Sequence, residues 1–175
     1  MEIAVLGGGC FWCVEAIYQR VKGVKKVISG YSGGKRSNPT YEQVCTGVSG
    51  HAEVVKIEFD ENIISFREIL DIFFDIHNPT QLNRQGNDVG TQYRSVIFYN
   101  DERQKNISLQ KIDELKNNNI DVVTEVSKLG KFYTAEEYHQ NYYNQNLKNP
   151  YCYYIITPKL EKFLLKYNNL SNTEL

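Results

Sequence analysis

Ile3-Ala4-Val5-Leu6-Gly7-Gly8-Gly9-Cys10-Phe11-Trp12-Cys13-Val14-Glu15-Ala16-Ile17-Tyr18 opens as an apolar run, passes through three glycines, and continues with Val14, Ile17, Tyr18 and Val21 at helical spacing. That order reads as a strand, a flexible turn and a helix. Cys10 falls at the helix start, where unpaired backbone N–H groups and the positive end of the dipole favour the thiolate. Cys13 follows one helical turn later, a spacing that permits a disulfide. Sulfur chemistry is the expectation, with inert buried packing as the alternative for either thiol.

Outward from this stretch, strand and helix alternate. Val24 to Tyr31 reads as a strand entering an exposed Gly-rich loop, Thr40 caps a short helix, and Ala52 to Phe59 is the clearest strand. Ser65 and Glu68 form a capping-box pattern ahead of a stripe of Phe66, Ile69, Leu70, Phe73 and Ile76. Residues Asn78 to Gln92 are polar and long for a mere connection. Strands are expected at Tyr93–Tyr99 and Asp121–Val126, with a helix from Asp101 to about Asn117 that turns Leu109, Ile112 and Leu115 inward. Tyr133 to Tyr154 lacks periodicity and is read as irregular chain over the sheet, before a last helix from Lys159 to Tyr167. The alternation argues for helices packed on a sheet.

With 175 residues, 41% hydrophobic and 23% charged, the chain fits one domain with a substantial core. A net charge of −1 without a basic block points away from nucleic acid and from anionic membrane surfaces. Four cysteines, at 10, 13, 45 and 152, are too few for a disulfide scaffold and lack the spacing of a zinc site. Ile3–Leu6 is shorter than the roughly 7–15 residues of an export signal. A cytoplasmic protein with reduced thiols is expected.

Strand alternation singles out a second residue. Glu53, Val55, Ile57 and Phe59 share one face of Ala52–Phe59, so the carboxyl points with apolar neighbours and should be desolvated, with a raised pKa. Such a group donates protons near neutrality; a strand-end Glu reaching solvent is the alternative. Phe11 and Trp12 beside a nucleophile can form a pocket for a small alkyl group, or can simply be core. Among 13 tyrosines, Tyr41 and Tyr93 are candidates to hold an oxygen through an un-ionised hydroxyl. His51, His77 and His139 have no metal-ligand spacing, and no metal is expected. From Cys10 and Cys13 alone, a thiol–disulfide oxidoreductase remains open, as does a non-enzymatic module that recognises methionine-containing segments through Phe11 and Trp12, with the cysteines merely structural.

Four ordered motifs narrow this: Gly9-Cys10-Phe11-Trp12, Gly50-His51-Ala52-Glu53, Asp88-Val89-Gly90-Thr91-Gln92-Tyr93-Arg94-Ser95, and Glu137-Tyr138-His139-Gln140. Together they closely resemble the A class of peptide methionine sulfoxide reductases, from about residue 3 to 163. Residues 164–175 are left as a tail of a single catalytic domain, 1–175. The resemblance implies an α+β fold: a two-layer sandwich of a mixed sheet and packed helices with a ferredoxin-like core and an irregular C-terminal segment. It implies reduction of the S epimer of methionine sulfoxide, free and in proteins, as repair of oxidative damage. Cys10 matches the family's nucleophile, Glu53 the proton donor, and Tyr41 and Tyr93 the hydroxyls that hold the oxygen. Phe11 and Trp12 match the methyl pocket, and Asp88 a residue that organises the site. A sulfenic acid on Cys10 then needs a resolving thiol. Cys152, read as lying in a mobile polar segment, ranks first and Cys13 second. No cofactor is implied beyond an external reductant, thioredoxin or a dithiol, and a monomer is the default.

Overall fold

Glu2–Gly7 forms β1 and, after the glycine turn, Phe11–Tyr18 forms α1. The structure, a computed structural model, describes residues 1–172. Val24–Ser32 is β2, and Tyr41–Cys45 is the short helix α2, closed by a capping box between Thr40 and Gln43. Ala52–Phe59 is β3, and Ser65 with Glu68 caps α3, Phe66–Ile76, as the sequence pattern required. A hairpin of β4, Arg84–Gln85, and β5, Asp88–Val89, leads to β6, Val96–Tyr99, and α4, Glu102–Asn117, capped by Asp101. Glu125–Lys128 is β7 and Phe132–Thr134 is β8. The short helix α5, Tyr142–Gln145, precedes a π-helical turn, Cys152–Ile156, which runs into α6, Thr157–Lys166.

The sheet order is β7-β6-β1-β3-β2-β8. Its centre, β6-β1-β3-β2, is antiparallel throughout, with α1 joining β1 to β2 and α3 preceding β6, which is the ferredoxin-like β-α-β-β-α-β arrangement. Only β7 runs parallel to its neighbour, so the sheet is mixed. Alternation divides β3 between two clusters. Val55, Ile57 and Phe59 join α1, α3 and α6 in the main core, while Ala52 and Val54 join Val5, Val96 and Phe98 on the far face, covered by Leu129 and Phe132. The helices therefore lie on one side, the side Glu53 faces.

Several sequence-based boundaries shift. Tyr93 lies in a 3-10 turn, Thr91–Tyr93, because Gly90 at φ 144° reverses the chain and Gly90 and Thr91 carbonyls accept the N–H groups of Tyr93 and Arg94. Strand pairing starts only at Val96. Residues 121–124 stay outside the sheet, since Val123 donates to Pro79 O, and β7 begins at Glu125. On α4 Ile112 is buried and Leu115 packs on the main core as expected, but the buried stripe runs back through Ser108 and Gln104, leaving Leu109 42% exposed. The segment read as irregular contains β8, α5 and the helical run from 152. Within the expected tail, Leu164, Tyr167 and Leu170 pack on the main core and Ser171 bridges to Val21; residues 173–175 lie outside the described residues.

Candidate active site

Two glycines bring β1 close to the site. A Cβ on Gly7 would sit 2.6 Å from Glu53 O, and Gly9, at φ 83°, turns the chain so that Cys10 becomes the N-cap of α1. Gly9 N–H also donates to Tyr93 O, 3.1 Å, tying the 3-10 turn to the thiol's neighbourhood. Behind Cys10, Glu53 is 1% exposed. Its Oε1 accepts the first free N–H of α1, from Phe11, at 3.1 Å, while its Oε2 is buried with no partner among the described residues. Burial, with Asp88 adding to it against the Phe11 bond, pushes this carboxyl up to about 8. Glu53 is thus mostly protonated at neutrality, with Oε1 as the accepting carbonyl and Oε2 carrying a donor that has not been used.

Cys10 is half-buried, and its thiol is held well above its ordinary range by burial and then by Glu53; the Trp12 backbone acts the other way and loses. The expectation of a resting thiolate is corrected here. Desolvation outweighs the helix terminus, and Glu53 already occupies that terminus's first N–H group.

Aromatic side chains wall the site. Trp12 stacks on Tyr142 at 3.7 Å and 8°, and its Nε1–H donates to His139 Nδ1 at 3.0 Å. Phe11 is buried against Tyr31 and His139. The Tyr41 ring lies 4.4 Å from His139, and Glu136 fixes that corner by accepting from Tyr41 N–H and the Tyr31 hydroxyl, each at 2.9 Å. Tyr41 and Tyr93 are half-buried, and burial followed by the nearby Glu53 pushes both hydroxyls up, so each is a neutral donor. On the other side of Cys10, Asp88 accepts from the Tyr151 hydroxyl at 2.6 Å. A cavity of about 410 Å³ there is lined by Cys10, Cys13, Gln85, Asp88, Tyr151 and Lys159, among others.

The sequence profile of the family described as peptide methionine sulfoxide reductase matches residues 2–171. The chain belongs to that family. It is 63% identical over 164 residues to the peptide methionine sulfoxide reductase MsrA of Nautilia profundicola, covering 94% of this chain and 95% of the relative. Among solved structures it is similar to reduced Mxr1 of Saccharomyces cerevisiae, with a TM-score of 0.78, 32% identity, and 86% and 88% of the two chains covered. Mxr1 in complex with Trx2 also superposes, at a TM-score of 0.55 and 24% identity over 81% of this chain and 84% of that one.

All seven residues that the family resemblance placed at the site, Cys10, Phe11, Trp12, Tyr41, Glu53, Asp88 and Tyr93, gather around the start of α1. The two candidate resolving thiols differ from expectation. Cys152 is not in a mobile polar segment: it is fully buried in the π-helical turn, its carbonyl accepting from Thr157 Oγ1 at 3.0 Å. Cys13 is 5% exposed, on the first turn of α1, and lines the cavity beside Cys10. Cys45 is exposed at the end of α2. His51 is a satisfied structural histidine: it accepts from Gly34 N–H and bonds Arg36 O. Sequence reasoning gave no role to His139, Glu136, Tyr142, Tyr151 or Lys159. The Glu137–Gln140 motif and the density of tyrosine were the only signals for them. Among the described residues, no group of three or more His, Cys, Asp or Glu is arranged to hold a metal, and no helix is long and apolar enough to cross a membrane.

Proposed function

We propose that this protein reduces methionine sulfoxide, free and in proteins, to methionine, through a sulfenic acid on Cys10. The observation that carries the reading is Glu53: a buried neutral carboxyl with one oxygen anchored to α1 and the other without a partner, close enough to Cys10 to act on its thiol. A sulfoxide oxygen is the acceptor this donor lacks, and the Tyr41 and Tyr93 hydroxyls can share it. Trp12 and Phe11 supply apolar surface for the S-methyl group. Family membership implies the S epimer.

In the first step the Cys10 sulfur attacks the sulfoxide sulfur while Glu53 gives its proton to the oxygen. The oxygen passes to Cys10, methionine leaves, and the proton released by the Cys10 thiol returns to Glu53. Sulfoxide is reduced, thiol is oxidised to sulfenic acid, and no net proton is consumed. Asp88 orients Tyr151 at the cavity mouth.

Resolution follows by a second thiol. Cys13 shares the cavity with Cys10, whereas Cys152 is sealed in the core next to Cys13, so Cys13 is placed first and Cys152 second in a relay. Thioredoxin is the proposed reductant, supported by the Mxr1 complex with Trx2. No bound cofactor takes part, and the cytoplasm is the compartment that suits thiols needing constant re-reduction. The role is repair of oxidative damage.

Dimedone trapping tests the route. After one turnover of the S epimer in a Cys13→Ser/Cys152→Ser background, the adduct should sit on Cys10 alone; methionine formation without such an adduct would refute the sulfenic acid route.

A further inference from the structure

We infer that Lys159 is the cation that prepares Cys13 to attack oxidised Cys10, making it a charge-supplying residue of the resolving step. The cavity of about 410 Å³ that joins Cys10 and Cys13 has, among the described residues, Lys159 as the one cationic side chain in its lining, which also includes Asp88 and Tyr151. Lys159 comes from α6, on the same helical run as Cys152, and is half-buried. Among the described residues no carboxylate lies within ion-pair distance of it, although Lys166 on the same helix is paired with Asp75.

The anion that the proposed reaction forms there is the Cys13 thiolate. Burial holds the Cys13 thiol above its ordinary range, and Lys159 is the strongest influence acting against that burial. The other groups facing the pair act in known directions. Asp88 and Cys152 disfavour the thiolate, Tyr151 is bonded to Asp88, and Cys10 is by then a sulfenic acid. On the far side of Lys159, His77 is held neutral at about 4 by burial, with both ring nitrogens occupied by Phe73 O and Ser95 Oγ, and Lys162 lines the adjoining groove. His77 is therefore no rival source of charge or base.

The step balances without any outside oxidant. Cys13 sulfur bonds to Cys10 sulfur as the Cys10 S–O bond breaks, and the departing hydroxide takes up the proton Cys13 gave up, leaving a disulfide and water. Lys159 keeps its proton at the end and serves as the charge that makes the thiolate available. This inference rests on the reading of Cys13 as the first resolving thiol, and the test separates the two.

Full-length, pre-reduced wild type, Lys159→Met, Lys159→Gln, Lys159→Arg and Cys13→Ser are each mixed with one equivalent of S-epimer substrate between pH 6 and 9.5. Methionine, dimedone-reactive Cys10 and free thiols are then counted against time. Removing the charge should lengthen the life of the sulfenic acid about tenfold at pH 7 and displace the rising pH profile of disulfide formation up by about one across the range. Arg should restore most of the rate, and disulfide formation should slow far more than methionine formation. An unchanged pH profile in Lys159→Met and Lys159→Gln, or an Arg variant as slow as Met, overturns the inference about Lys159. Sulfenic acid that vanishes as fast in Cys13→Ser as in wild type overturns the resolving role of Cys13 itself.

Discussion

Replacing Glu53 by Gln should slow methionine formation and stabilise the fold at once. The carboxyl is 1% exposed and pushed from an ordinary 4.5 up to about 8. Because the folded-state value is the higher one, its favourable linkage is complete below pH 4.5 and is lost as the pH rises to 8. With each pH step worth about 1.36 kcal/mol, the folded chain has lost about 3 kcal/mol by pH 7 and about 5 kcal/mol above pH 8. Gln has nothing to titrate, and its carbonyl can still accept Phe11 N–H. Its amide leaves an extra buried N–H unpaired, which costs about 1–2 kcal/mol. The net expectation is a gain of about 2 kcal/mol at pH 7 and about 3 kcal/mol at pH 8.5. Single-turnover methionine formation should fall by about 100-fold or more, the scale of a lost general acid. The wild-type rate should decline about tenfold per pH step above 8, and the variant should show no such limb. Urea unfolding at pH 5, 7 and 8.5, paired with quenched single turnovers from pH 6 to 10, measures both. A variant less stable than wild type at pH 8.5, or one that keeps the alkaline limb, would show that Glu53 is not a buried neutral acid.

Other perturbations separate the walls of the site from its scaffold. Trp12→Phe keeps the stack on Tyr142 but removes the donor to His139, so the ring loosens and KM for the S sulfoxide should rise about 3–10-fold in steady-state assays; an unchanged KM would remove His139 from the positioning of Trp12. Gly8→Ala places a Cβ 2.8 Å from the His77 ring, which is held by Phe73 O and Ser95 Oγ and cannot swing away; a loss of about 1–3 kcal/mol is expected in urea unfolding. On α4, Ile112→Ala should cost about 2–4 kcal/mol while Leu109→Lys stays within about 0.5 kcal/mol, and the reverse order would refute the inward stripe through Gln104, Ser108 and Ile112.

Local signals carried much of this far. The Thr40 cap marked α2 and the Ser65–Glu68 capping box marked α3, the alternation of β3 put Glu53 on the apolar face, and the glycine turn put Cys10 at the start of α1. What failed depended on distant partners. Tyr93 belongs to a turn because Gly90 reverses the chain and Gly9 reaches across to its carbonyl, neither of which its apolar neighbours reveal. β7 is placed by pairing with β6, and its start by the Val123 bond to Pro79 O that holds the preceding residues off the sheet, not by its own composition. Cys152 looked mobile because residues 133 to 154 are dense in Tyr, Asn, Glu and His with little periodicity. Pro158 has no N–H to continue an α-helical ladder, and a π-helical turn with Thr157 bonded to Cys152 O carries the helix across that point. The thiolate expectation for Cys10 failed for an energetic reason: a helix terminus is worth about 0.3–1 kcal/mol, less than burial beside a carboxyl removes. His139 reaches Trp12 across 127 residues, which no local pattern encodes.

The central claim is that Cys10 takes the oxygen of the S sulfoxide and passes its oxidising equivalent to a thiol. Pre-reduced protein should be mixed, without added reductant, with the separate S and R epimers of a methionine sulfoxide substrate, and the methionine formed per protein counted. The account predicts methionine from the S epimer alone, none from Cys10→Ser, and between one and two methionines per chain as the relay fills. Methionine from neither epimer, or equal yields from both, would contradict it.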